Sequence, residues 1–244
     1  MRVAKSSGFN YRRFASAVRL CYTPSHNVHR ERKSVDAYET LYPAMKVVGR
    51  GIFALLGGLR VEGAGNVPRV GGVILAPNHR SDCDPVAVGA AAPRPLWFVA
   101  KEELFDIPIL GSVMRFFHAI PIKRDAADRR AIRRIEALLE KGEAVVIFPE
   151  GRVSPTGAFQ PLEPGVGLIA LRTRVPIVPV GLLGTERIIP YGSVIPRPAF
   201  RRTTVRFGPP ITCDDIVQTV RRREQVDALM ARVEEKMKRL IGDG

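Results

Sequence analysis

The segment Asn78-His79-Arg80-Ser81-Asp82-Cys83-Asp84-Pro85 sets a histidine five residues before a carboxylate, just after the apolar run Val73-Ile74-Leu75-Ala76. An imidazole oriented by a carboxylate is what a general base requires, and such a base contributes typically about 10²–10⁴-fold in rate. On one continuous helix five residues turn through about 500°, which leaves the two side chains roughly 140° apart. They meet only if a helix starts inside the motif. Asp84 as N-cap and Pro85 at the first helical position supply that start, since both residue types are favoured there. The residues alone leave two readings open: Asp84 orients the His79 ring, or Asp84 only caps the helix and His79 is a loop histidine.

A second cluster, Phe148-Pro149-Glu150-Gly151-Arg152-Val153-Ser154, follows the apolar run Ala144-Val145-Val146-Ile147. Glycine beside a carboxylate and a guanidinium lets the backbone approach a ligand while Arg152 offers a planar donor fork to phosphate. A Pro/Gly loop with a surface ion pair has the same composition. In a third cluster, Ile120-Pro121-Ile122-Lys123-Arg124-Asp125, an apolar run empties into adjacent cations that either bind an anion or are simply solvated.

Short apolar runs alternating with longer amphipathic stretches from Arg60 onward predict an α/β domain. Strands are expected at Val73–Ala76, Leu96–Val99, Ala119–Ile122, Ala144–Phe148, Ile177–Val180 and Thr203–Phe207. Helices are expected over Ala126–Lys141, closed by Gly142, around Ile169–Thr173, and over Asp214–Ile241 with Thr212 as its cap. Each strand ends in a Pro/Gly-rich loop, and strand ends are where open α/β sheets carry their sites. There is no G-x-S-x-G elbow and no G-x-x-x-x-G-K-[ST] loop, which excludes the usual serine hydrolase and P-loop nucleotide enzyme. Gly63-Ala64-Gly65-Asn66-Val67-Pro68 lacks the third glycine of a dinucleotide fingerprint and reads as a turn. Three cysteines and four histidines without ligand spacing predict no structural or catalytic metal.

The chain of 244 residues carries 38 Lys+Arg against 24 Asp+Glu, a net charge of +14. Residues 1–60 hold 11 Lys/Arg and 3 Asp/Glu, so +8 of that excess lies in one quarter of the chain. Nucleic acid and an anionic bilayer both fit such a field. The basic clusters hold few aromatics and no helix-turn-helix, zinc or RNA-binding signature, which disfavours nucleic acid. No apolar stretch precedes a cleavage site at the N-terminus, so no secretory signal is expected. Val47–Leu59, interrupted by Arg50, falls short of the roughly 20 residues that span a bilayer. Tyr11–Phe14 and Tyr42–Leu59, with Arg12, Arg13, Arg19, Lys46 and Arg50, suit a pair of amphipathic helices at a membrane interface, or ordinary helices with solvated cations. The expected division is a basic membrane-surface segment, 1–59, before a catalytic domain, 60–244.

In this order the motifs resemble the glycerolipid acyltransferase family, whose best-known members are 1-acylglycerol-3-phosphate acyltransferases. The resemblance rests on His79 and Asp84, Phe148 to Gly151, Arg124, Val175 to Val180, Ala100 to Phe105 and Pro108 to Gly111. It implies a single α/β catalytic domain with a mixed, mainly parallel sheet flanked by helices. It further implies transfer of a fatty acyl group from acyl-CoA or acyl carrier protein to the free hydroxyl of 1-acylglycerol-3-phosphate, with no cofactor, at the cytoplasmic face of the cell membrane. His79 is then the base and Asp84 its orienting partner. Arg124 and Arg152 hold the acceptor phosphate with Lys101 as helper, Glu150 and Gly151 shape the acceptor site, and amides near His79 or Gly151 stabilise the oxyanion. Arg152 directly follows Gly151, and Val153 stands in the usual arginine slot, a form similar to members acting on other lysophospholipids. The alternative acceptors are therefore another lysophospholipid or glycerol 3-phosphate. His118 stands where glycine is common.

Overall fold

All five residues of Val73–Pro77 are buried, and both neighbouring strands run parallel to this one, which makes it the centre of the sheet. A computed structural model describes residues 37–108, 110–123, 128–193, 195–199, 201–214, 216 and 221–242. Arg12, Arg13, Arg19, the Tyr11–Phe14 segment and Arg124 lie outside these residues. The strands are β1 (Leu59–Glu62), β2 (Val73–Pro77), β3 (Trp97–Lys101), β4 (Ala119–Ile122), β5 (Ala144–Val146), β6 (Ile177–Leu183) and β7 (Thr203–Phe207). They form one 7-stranded sheet in the order β1-β7-β6-β2-β5-β3-β4. From β6 through β4 every pairing is parallel, while β7 runs antiparallel to β6 and carries β1 parallel to itself. This is the mixed, mainly parallel α/β sheet expected from the alternation of runs.

The helices are α1 (Ala37–Leu55), α2 (Asp84–Ala91), α3 (Leu110–Phe116), α4 (Arg129–Glu140), α5 (Gly165–Thr173), α6 (Thr185–Ile188) and α7 (Arg222–Ile241). The period-2 alternation of a strand divides the core between two layers. Val73 and Leu75 pack with Phe53 of α1 and Ala87 and Val88 of α2. Ile74 and Ala76 pack with Ile135 of α4, Ile169 of α5, and Leu229, Val233 and Met237 of α7. Each large side chain so buried contributes about 1.5–3 kcal/mol.

On α1, Tyr42, Lys46 and Arg50 lie one turn apart and reach the carboxyl end of α2. The Tyr42 hydroxyl donates to the Gly89 carbonyl at 2.9 Å, Lys46 Nζ to Ala92 at 2.6 Å and Arg50 Nε to Ala90 at 3.1 Å. Two cations thus complement carbonyls that a helix end leaves unpaired. Lys46 and Arg50 each hold a carbonyl of the α2 end, a contact the sequence reading did not foresee. The unit holding the described residues runs from Val35 onward, so α1 belongs to the same body as the sheet. No helix among the described residues is long and apolar enough to cross a membrane.

Two expected helix starts move. Helix α4 opens after Asp128, whose carboxylate accepts the Arg130 and Ala131 N–H groups. Helix α7 opens after Arg221, which is extended at ψ 147°, so Thr212 is not its cap. Before it the chain is held elsewhere: Ile211 bridges Ile177, and Ile216 is buried after a turn from Cys213. Helix α7 then lies so close on β6 that a Cβ at Gly181 would sit 2.7 Å from Leu240 Cβ. Gly181→Ala should destabilise the protein by about 1–3 kcal/mol through overpacking, read as a lowered midpoint in chemical denaturation.

Candidate active site

Strand β2 delivers His79 to the carboxyl edge of the sheet. The preceding residue fixes the main chain there: Asn78 accepts the Leu182 N–H at 2.6 Å and donates to the Leu182 carbonyl at 3.1 Å, a two-way clamp onto β6. His79 Nδ1 lies 2.9 Å from Asp84 Oδ2. The same oxygen accepts the N–H groups of Arg80 at 2.7 Å and Ser81 at 2.8 Å. A carboxylate that accepts from Nδ1 leaves Nε2 as the proton acceptor. Asp84 is fully buried, and its Oδ1 has no partner among the described residues. Such an orphaned oxygen costs about 1–3 kcal/mol.

The N-cap of α2 is Cys83, with Asp84 the first helical residue, so the helix begins one position earlier than expected. The Asp84 carboxylate turns back toward the loop, away from the helix it opens, so the capping-only reading does not hold. Cys83 is no rival nucleophile. Burial pushes its thiol up to about 11, and its Sγ lies 3.5 Å from the Thr185 carbonyl.

The loop after β5 closes over His79. Phe148 stacks on the imidazole with ring centroids 4.1 Å apart. Glu150 Oε1 accepts the His79 N–H at 2.9 Å, and the Ser154 N–H donates to the His79 carbonyl at 2.8 Å. Residues 150–154 therefore form an arch with both feet on one peptide residue. Gly151 makes the bend, at φ 69°, where a side chain would be strained. The second oxygen of Glu150 accepts the Gln160 N–H at 3.1 Å. Burial pushes the Glu150 carboxyl above its usual range, and the two N–H bonds draw it partly back. Arg152 stands exposed at the top of the arch, with Nε donating to Gln160 Oε1 at 3.1 Å.

The structure thus brings His79, Asp84, Glu150, Gly151 and Arg152 together. Lys101 ends β3, half-buried at the same carboxyl edge. Leu75, Val146 and Phe98 are in register, so Lys101 stands level with Asn78 two strands away, a lateral separation of about 10 Å. The N–H groups of His79, Arg80, Ser81 and Gly151 are all bonded within the loops. These four are therefore not free oxyanion donors. His118 has φ 54°, the left-handed region that suits glycine, and its ring stacks on Trp97 at 4.2 Å. Sequence reading missed Asn78, Ser154 and Gln160. Asn78 had a signal in its place between strand and histidine, whereas nothing in the spacing marked Gln160.

Among known proteins, a sequence model of the acyltransferase family matches residues 58–183. The 1-acyl-sn-glycerol-3-phosphate acyltransferase of Bacillus subtilis is 32% identical over 148 residues, 60% of this chain and 71% of that one. The chloroplastic enzyme BAT2 of Brassica napus is 39% identical over 100 residues, 39% of this chain and 28% of that one. This chain covers 28%, 38% and 59% of three plant relatives. The crystal structure of PlsC, the 1-acyl-sn-glycerophosphate acyltransferase of Thermotoga maritima, superposes with a TM-score of 0.69 at 24% identity, covering 93% of this chain and 88% of that one.

Replacing Asp84 removes the acceptor of three N–H donors inside a buried loop. Asp84→Ala should lower the unfolding free energy by about 2–4 kcal/mol, whereas His79→Ala, which leaves the two backbone N–H bonds in place, should cost less than half as much. Urea titration of both variants compares them.

Proposed function

Because the chain belongs to the acyltransferase family, we propose that it transfers a fatty acyl group from a thioester carrier, acyl-CoA or acyl carrier protein, to the free hydroxyl of 1-acylglycerol-3-phosphate. The observation that carries this reading is the 2.9 Å pair of His79 Nδ1 and Asp84 at the end of the central strand, with the ring held by stacking on Phe148. The names of the Bacillus and plant relatives support the same acceptor.

In the proposed reaction His79 Nε2 takes the proton of the acceptor hydroxyl as its oxygen bonds to the thioester carbonyl carbon. Asp84 holds the tautomer and stabilises the imidazolium. Collapse of the tetrahedral intermediate breaks the carbon–sulfur bond, and the departing thiolate takes the proton back from Nε2. The acceptor attacks directly, so no enzyme nucleophile and no resident cofactor are needed. Arg152 is assigned the acceptor phosphate, as a charge-assisted donor fork, with Arg124 and Lys101 as further cations. Glu150 and Gly151 shape the acceptor site by holding the arch on which Arg152 stands. Arg152 in place of the usual Val153-slot arginine keeps another lysophospholipid, or glycerol 3-phosphate, as the alternative acceptor.

We also assign the outer face of α1 to a bilayer surface. Leu41, Val48, Ile52 and Leu55 fall on one stripe of the helix, with Val48 62% and Leu55 84% exposed. Tyr191 and Ile195 are exposed as well, in a stretch without acidic residues that holds Arg197, Arg201 and Arg202. Apolar side chains beside cations suit an anionic interface.

His79→Ala is expected to abolish transfer while keeping the native fold. A matrix of lysophosphatidic acid, other lysophospholipids and glycerol 3-phosphate against acyl thioesters, read by product mass, fixes the acceptor. Near-normal turnover of the His79 variant would refute the base assignment. The double variant Val48→Asp, Ile52→Asp is expected to lose flotation with anionic vesicles at unchanged thermal stability. Undiminished flotation would remove α1 from the membrane contact.

A further inference from the structure

The arch between Glu150 and Ser154 holds its backbone by the two bonds to His79, but neither bond reaches the Arg152 side chain. An exposed arginine has many rotamers to lose on binding an anion. Here one residue restrains it from both ends. Gln160 Oε1 accepts from Arg152 Nε at 3.1 Å, and Gln160 Nε2 donates to the Arg152 carbonyl at 3.3 Å. With Nε occupied, the guanidinium keeps its two terminal nitrogens for a ligand. Through its main chain Gln160 also donates to Glu150 Oε2, whose partner oxygen holds the His79 N–H. A continuous path of hydrogen bonds therefore joins the guanidinium to the peptide of the base.

We infer that Gln160 is a positioning residue that aims the Arg152 guanidinium and so sets affinity for the anionic group of the acceptor. The inference rests on the proposed role of Arg152 as the ligand of that group. Gln160 touches no reacting atom in this scheme. Its effect falls on acceptor binding and leaves the chemical step alone. The two bonds to Glu150 and to Arg152 are separable, because the first comes from the Gln160 backbone and survives any side-chain replacement other than proline.

The test is a kinetic cycle in the full chain with Gln160→Leu, Arg152→Ala and the double variant, using lysophosphatidic acid and one acyl-CoA. Circular dichroism and thermal melts establish that each variant is folded. Gln160→Leu should raise acceptor KM by about three- to tenfold, the worth of one positioned hydrogen-bond pair, with kcat and thioester KM changed by less than about twofold. Arg152→Ala should raise acceptor KM further, and adding Gln160→Leu to it should change nothing more. Gln160→Glu, which would neutralise the guanidinium, should also raise acceptor KM. The inference is overturned if Gln160→Leu leaves acceptor KM unchanged while Arg152→Ala raises it, or if the Gln160 effect persists undiminished in the Arg152→Ala background. An unchanged acceptor KM in Arg152→Ala itself would overturn the phosphate assignment, and the inference with it.

Discussion

The grip on the peptide of His79 is the constraint on which the site depends. Its N–H goes to Glu150 and its carbonyl to the Ser154 N–H. Asn78, one residue earlier, is locked to Leu182. Residue 79 is thereby tied to two strands besides its own, β5 through the arch and β6 through the amide of Asn78. A histidine on a free loop would sample many ring positions. This one is held by its backbone before any partner touches its ring, and only then do Asp84 and Phe148 fix the imidazole.

Such a grip has an electrostatic cost. Two carboxylates, Asp84 and Glu150, are buried within one loop system, at 0% and 5% exposure. A buried charge is tolerable only when donors surround it. Asp84 meets this with three N–H groups on a single oxygen, and Glu150 with one N–H on each. The main-chain N–H groups of His79, Arg80, Ser81 and Gln160 are consumed in the process. The loops serve the orientation of one imidazole, and the amides of His79, Arg80 and Ser81 are spent on it.

How much of this was legible in the sequence follows the range of the forces involved. Strands β2 and β5 were readable because burial on both faces demands an uninterrupted apolar run, as in Val73–Ala76. The His79 and Asp84 pairing was one of two local readings of a turn between strand and helix, and the family resemblance, not the spacing, favoured it over capping alone. The rest was not, for physical reasons. The extended conformation of Arg221 conflicts with a helical pattern that periodicity alone carries through it. Lys46 and Arg50 look like surface cations until α2 brings its carbonyls within reach, some 40 residues away. Gln160 finds Arg152 only because Gly151 and the arch fold the chain back. His118 is intelligible only with its φ of 54° in hand, which explains why a glycine suits that position.

Helix α2 carries Asp84 at one end and, at the other, the carbonyls that Tyr42, Lys46 and Arg50 hold. Its 8 residues make a rod about 12 Å long. For a face of α1 proposed to rest on a bilayer, that rod acts as a spacer of fixed length. The height and azimuth of the Asp84 carboxylate above the lipid headgroups are then set through this short helix, beside the direct packing of Phe53 of α1 on β2. A single residue inserted into α2 would rotate one end against the other by about 100°, turning the carboxylate away from a ring that the rest of the loop still holds in place.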